Sequence, residues 1–221
     1  PGDAEGYYNL GTLNLRRNRL DEAKQHLQQT LKLKPDYPEA WNNLGMLAGQ
    51  QGQISEAVQS FKHALALRPN YATALLNLGN VYRRQRDYGN AQDCLTRALA
   101  VQPDDPEANY SLGMLYAQQG QARPASEYLQ KAVALRPDYP EALNNLGVIA
   151  VRDQNYAEAE LRFRTCIRLV PGFEESYLNL ARLYVLQRQK AKAREALQAL
   201  LLLKPESAVA KQGIAALDAA P

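Results

Sequence analysis

Five asparagines recur at one spacing along this chain: Asn9, Asn43, Asn77, Asn145 and Asn179, with Ser111 filling the slot between the third and fourth. Counting that serine, neighbours stand 34 residues apart. A side-chain amide donates and accepts hydrogen bonds at once, so one asparagine can answer both a peptide N–H and a peptide C=O. A row of them at a regular rise suits an extended peptide held by its backbone, with little demand on its sequence. Asn42, Asn80 and Asn144 add further amides, and Arg83, Arg84 and Arg86 crowd together just after Asn80. Guanidinium groups fork onto carboxylates with paired hydrogen bonds, so this cluster suits an acidic group on a ligand.

Residues for bond-making chemistry are missing. His26 and His63 have no Cys, Asp or Glu partner at metal-ligand spacing, so no metal site is expected. The glycines form neither GxGxxG nor GxxxxGK[ST], and no serine or cysteine has a base at a recognisable interval. Acidic pairs such as Asp21–Glu22 and Glu174–Glu175 fall at predicted helix starts, where the helix dipole favours negative charge. Neither catalysis nor a cofactor is expected.

Composition narrows the partners. The 221 residues carry a net charge of +3, with 22% charged residues of both signs. No basic stripe follows either set of predicted helices, which argues against nucleic acid. The longest apolar run, Ala199 to Leu203, is far too short to insert in a membrane. Two cysteines, Cys94 and Cys166, are too few for a disulfide framework and lean towards a reducing, cytoplasmic compartment. The regular units and frequent Gln and Arg point to a bacterial source. With no initiator Met, and the first unit entered three residues after the start, the chain is expected to be a fragment of a longer protein or a processed product.

What positions the amides is a repeat. With Ala4 as position 1, units of 34 residues run 4–37, 38–71, 72–105, 106–139, 140–173 and 174–207, after a leader 1–3 and before a tail 208–221 that reads as a capping helix. Position 8 is Gly11, Gly45, Gly79, Gly113, Gly147 and then Ala181, position 20 is alanine in every unit, and position 32 is proline in every unit. Self-similarity at this period marks a solenoid, whose units bury their apolar faces only against their neighbours. In the second unit Trp41, Leu44, Gly45 and Ala48 make one helical stripe. A break at Gly52 follows, and Ile54, Ala57, Val58, Phe61, Ala64 and Leu65 make a second stripe. Small residues at positions 8 and 20 let the two helices approach closely. Leu10, Leu44, Leu78, Leu112, Leu146 and Leu180, all at position 7, are expected in the core.

The set Trp41, Leu44, Gly45, Gly52, Ala57, Phe61, Ala64 and Pro69 resembles the consensus of the tetratricopeptide repeat (TPR) family, and the resemblance runs from Ala4 to Ser207. It implies an all-α fold: a right-handed α-solenoid, or superhelix, of helix-turn-helix units whose first helices line a concave groove. In that family positions 2, 5, 6, 9, 12 and 13 of the first helix face the groove. The candidate peptide-binding residues are then Asn9, Asn43, Asn77, Asn145, Asn179, Asn42, Asn80, Asn144, Tyr8, Tyr110, Arg83 and Arg84. In this respect the chain is similar to the superhelical repeats of the O-linked N-acetylglucosamine transferase, which use asparagines in this way. The carboxylate-clamp repeats that hold chaperone C-termini are a poor match: their five slots carry Tyr8, Thr12, Asn43, Thr73 and Asn77 here, and only Asn43 fits.

The function implied is a non-catalytic protein–protein interaction scaffold that takes a peptide or protein segment in its concave groove. Two alternatives stand beside it. One is an accessory region presenting substrates within a larger multidomain enzyme; the other is a structural solenoid that self-associates through the uncapped N-terminal helix.

Overall fold

The computed structural model describes residues 3–219. They form helices α1 (Ala4–Arg16), α2 (Leu20–Leu33), α3 (Pro38–Gln50), α4 (Ile54–Leu67), α5 (Ala72–Arg84), α6 (Tyr88–Val101), α7 (Pro106–Gln118), α8 (Ala122–Leu135), α9 (Pro140–Arg152), α10 (Tyr156–Leu169), α11 (Glu174–Leu186), α12 (Lys190–Leu203) and α13 (Ala208–Ala219). No strand occurs among the described residues. The fold is an all-α solenoid of helix-turn-helix units, and it divides into two compact units, one ending at Leu115 and one starting at Tyr116.

Local signals start several of the helices. Pro38 and Pro140 occupy the first turns of α3 and α9, where a missing N–H costs nothing. Asp3 accepts from the Gly6 N–H at 2.6 Å, Asp87 from the Asn90 N–H at 3.3 Å and Asn155 from the Glu158 N–H at 3.3 Å, capping α1, α6 and α10.

The first helices α1, α3, α5, α7, α9 and α11 are each followed by a residue with left-handed backbone: Asn18 (φ 56°), Gly52 (73°), Arg86 (61°), Gly120 (77°), Gln154 (60°) and Arg188 (60°). At Arg86 the N–H donates to the Arg83 carbonyl at 3.1 Å, and the Asp87 N–H donates to the Tyr82 carbonyl at 2.9 Å. This is the two-bond Schellman closure. The turn thus keeps its geometry whether or not glycine supplies it, because both bonds require it. A left-handed conformation costs an L-residue about 1–2 kcal/mol, while glycine loses about 0.5–1 kcal/mol more backbone entropy on folding. Arg86→Gly is therefore expected to stabilise the protein by about 0.5–1 kcal/mol, read as a higher midpoint in urea unfolding.

Within each unit the helix pairs close on small residues. A Cβ added to Gly45 would lie 2.6 Å from the Phe61 ring, and one added to Gly79 would lie 2.7 Å from Leu95 Cγ. The Gly147 site meets the Phe163 ring still more closely. Ala23, Ala57 and Ala91 in the first unit, and Ala125, Ala159 and Ala193 in the second, are fully buried. At three junctions between pairs a cation covers a tyrosine ring: Lys34 over Tyr37 (5.3 Å), Arg68 over Tyr71 (5.0 Å) and Arg136 over Tyr139 (3.5 Å).

One core expectation is corrected. Leu44, Leu78, Leu112, Leu146 and Leu180 are buried, but Leu10 is 45% exposed. Leu44 packs in a cluster with Leu27 of α2 and Ala40 of α3. No described helix precedes α1 to do the same for Leu10, and Leu13 is left open with it. At the other end α13 buries Ala210 and Leu217 and turns Lys211, Ala215 and Asp218 outward. Arg194 pairs with Asp218, and Lys211 with Glu206 at 3.1 Å.

Candidate functional site

In the first unit, α3 touches both α1 and α5, so first helices form a row. The amides at positions 5 and 6 meet inside this row. Asn77 Nδ2 donates to Asn42 Oδ1 at 3.0 Å, from α5 to α3. Asn43 Nδ2 donates to Thr12 Oγ1 at 3.1 Å, from α3 to α1. Asn42 is 2% exposed and Asn43 9%. The second unit repeats the device: Asn179 Nδ2 on α11 donates to Asn144 Oδ1 on α9 at 3.0 Å, and Ser176 Oγ donates to the same oxygen at 3.3 Å. Asn144 is 4% exposed.

These contacts revise the placement expected for Asn42, Asn43 and Asn144. They lie between consecutive first helices, and their amides join those helices, because a buried amide must find a partner or lose its solvation. Asn145 Nδ2 donates back along its own helix to the Glu141 carbonyl at 2.7 Å, and Asn9 is exposed on α1. Part of the signal for the Asn42–Asn77 and Asn144–Asn179 pairs is present in the chain. Asn-Asn doublets at 42–43 and 144–145 are each followed by a single asparagine in the next repeat, Asn77 and Asn179.

Other predicted residues do converge. Asn77, Asn80, Arg83 and Arg84 on α5 and Tyr110 on α7 line a groove of about 390 Å³, bordered on the α3 side by Met46 and Gly49. A Cβ at Gly49 would meet nothing within 4 Å, so this wall is open. The edge of Phe61 forms part of the floor, and Glu107 stands at the rim. Neither followed from the amide pattern. Phe61 was visible only as a core residue, whereas Glu107 holds position 2, one of the positions expected to face the groove. Tyr8 lies elsewhere: it stacks on Tyr37 at 4.9 Å and belongs to the α1–α3 cluster.

The electrostatics of the groove are lopsided. Arg83 reaches Asn80 Oδ1 with Nε and Nη2, both at 3.4 Å, and among the described residues neither Arg83 nor Arg84 forms an ion pair. Arginines on the second helices differ. Arg97, Arg123, Arg162 and Arg164 each pair with an acid four residues away on the same helix, at 3.2, 3.3, 2.6 and 2.8 Å. Burial lowers the pKa of Arg83, and the charge of Arg84 acts in the same direction. An anion in the groove would relieve both effects.

Remaining reactive groups are accounted for by packing. His63 stacks on Trp41 at 4.6 Å, and His26 on Tyr7 at 6.0 Å. Cys94 and Cys166 are free and buried, and burial pushes the Cys94 thiol up to about 11. Tyr184 Oη donates to Glu160 Oε1 at 2.7 Å and accepts from Arg164 Nη2 at 2.8 Å. The phenol thereby holds the Glu160 carboxyl below its ordinary range. Among the described residues no group of three or more His, Cys, Asp or Glu could hold a metal ion.

Comparison with known proteins agrees with this architecture. Tetratricopeptide repeat family profiles match residues 15–48, 49–86, 78–144 and 150–217. Among solved structures, MamA 41-end from Desulfovibrio magneticus RS-1 is 30% identical with a TM-score of 0.66, covering 75% of this chain and 94% of its own. The chain belongs to the tetratricopeptide repeat family, whose members are typically interaction modules. The Cut9–Hcn1 assembly of the APC/C aligns over 98% of this chain at a TM-score of 0.83 and 18% identity, and this chain spans 43% of that one. YrrB, described as a TPR protein with an unusual peptide-binding site, is 24% identical at a TM-score of 0.63, with 84% of this chain and 96% of its own covered. No curated protein matches the sequence. No described helix is long and apolar enough to cross a membrane.

Proposed function

We propose that the chain is a non-catalytic interaction scaffold, and that the groove between α3, α5 and α7 binds a segment of a protein partner. An acidic side chain of that segment lies against Arg83 and Arg84, an apolar one fits between Met46 and Tyr110, and Asn77 and Asn80 answer its backbone. The observation that carries this reading is the pair of adjacent first-helix arginines that line a groove and form no ion pair among the described residues, with Glu107 at its rim. The peptide-binding site described for YrrB, a relative of the same fold, supports the same class of ligand.

A peptide array scanned with acidic and basic substitutions tests it. Arg83→Glu/Arg84→Glu is expected to weaken the best acidic peptides at least tenfold, about 1.4 kcal/mol or more, and to improve their lysine-substituted versions. Both side chains are partly or fully exposed, so the fold tolerates the change. Unchanged binding by the charge-reversed protein would sink the reading.

Association between copies through α1 is a second reading, favoured by the exposure of Leu10 and Leu13. Sedimentation velocity decides it: a strict monomer at high concentration rules it out.

A further inference from the structure

We infer a second binding surface, in the C-terminal unit: the cleft between α11 and α13 receives two apolar side chains of a partner segment that carries an acidic residue beside them. The cleft has a volume of about 500 Å³, inside the range of about 300–1,000 Å³ typical of ligand-holding pockets. Leu178 and Val185 of α11 form one wall, Val209 and Ala216 of α13 the other, and Leu197 of α12 the floor. Val185 is 52% exposed and Val209 49%, so the walls present apolar surface directly to solvent.

The cleft exists because α13 departs from the rows that the other first helices keep. Position 2 is glutamate in Glu5, Glu39, Glu107, Glu141 and Glu175, threonine in Thr73, and Val209 in α13. Position 6 is asparagine or serine throughout, and Gly213 in α13. Position 9 carries Thr12, Met46, Asn80, Met114, Val148 and Arg182 before shrinking to Ala216. Three substitutions on one face therefore replace an acid, an amide and a mostly larger side chain with apolar or missing ones. Gly213 does more than vacate space. A Cβ there would lie 2.8 Å from Leu197 Cδ1, so glycine lets α13 seat against the leucine that floors the cleft.

Charge identifies the occupant. Arg182 is the one charged residue among those lining the cleft, and no acid stands with it. Its Nη1 donates to Asn179 Oδ1 at 3.2 Å, and among the described residues it forms no ion pair. An apolar cleft with a lone rim cation complements apolar anchors flanked by Asp or Glu. This site is separate from the α3–α5–α7 groove, and each proposal can fail without the other.

The test uses the full chain and fluorescein-labelled peptides Ser-Asp-X-Gly-Z-Ser, with X and Z drawn from Leu, Ile, Val, Phe, Trp and Ser. Anchors two apart face one side of an extended chain. Binding is read by anisotropy. The best apolar peptides are expected to bind at least tenfold more tightly than the Ser/Ser peptide. Val185→Asp/Val209→Asp should erase that difference, and Arg182→Glu should weaken binding about fivefold, restored when the peptide Asp becomes Lys. Arg83→Glu/Arg84→Glu should change nothing, which separates this result from failure of the first groove. The substituted side chains are exposed, and matching thermal melts confirm that the variants are folded. No saturable binding by any peptide, or equal binding of Ser/Ser, overturns the proposal. So does self-association in sedimentation velocity, or flotation with phosphatidylcholine–phosphatidylglycerol vesicles, if either is abolished by Val185→Asp/Val209→Asp; the cleft would then serve a second copy or a lipid surface.

Discussion

Gly147→Val is expected to lower stability by about 3 kcal/mol, the upper end of the usual cost of overpacking a core. Any Cβ at Gly147 overlaps the Phe163 ring, which is itself 1% exposed and has no room to withdraw. A ring edge cannot fold aside as the end of a flexible side chain can. For a chain of this length such a loss lowers the thermal midpoint by roughly 6–12 °C. The last repeat shows what compensates. Ala181 there replaces the glycine, and its partner at the position of Phe163 is Leu197. Gly147→Ala paired with Phe163→Leu should therefore recover stability relative to Gly147→Ala alone, whereas simple additivity predicts a further loss. Denaturant unfolding of the four proteins in this cycle measures the coupling.

Asn144→Ala is expected to cost about 1–3 kcal/mol, because it removes one acceptor and strands two buried or half-buried donors, Asn179 Nδ2 and Ser176 Oγ. Asn42→Ala removes the acceptor of Asn77 in the first unit and should fall in the same range. Asn9→Ala, at an exposed position on α1, should stay within about 0.5 kcal/mol of the parent. Equal effects at Asn9 and Asn144 in urea unfolding would contradict the division of asparagines into exposed and helix-joining sets. The same division bears on binding assays. Substitution at Asn77 disturbs the scaffold as well as the groove, so Arg83 and Arg84 are the cleaner probes.

The architecture was legible because periodicity is a property of sequence: Gly45, Ala57 and Pro69 recur at a fixed interval, and the helix pairs follow from the stripes between them. The turn was legible only in part. Gly52 and Gly120 announce positive φ, but Arg86, Gln154 and Arg188 adopt it under the hydrogen bonds of the helix end, which residue type does not reveal. The row of position-6 asparagines was visible, yet its direction was not. Asn77 and Asn179 find their acceptors in the position-5 residues of the preceding repeats, Asn42 and Asn144, whereas Asn43 turns to Thr12 at position 9. The arginine cluster stood out in the chain. What the structure adds is that Arg83 and Arg84 border a groove and, unlike Arg97, Arg123, Arg162 and Arg164 on second helices, form no ion pair among the described residues.

Binding of a partner segment by that groove is tested most directly by titrating the tightest acidic array peptide into the isotope-labelled chain and following its amide and methyl resonances. Shifts centred on Met46, Asn77, Asn80 and Tyr110, absent in Arg83→Glu/Arg84→Glu, are the predicted result. Shifts confined to the second helices α4 and α6, or an unchanged map in the charge-reversed protein, would contradict it.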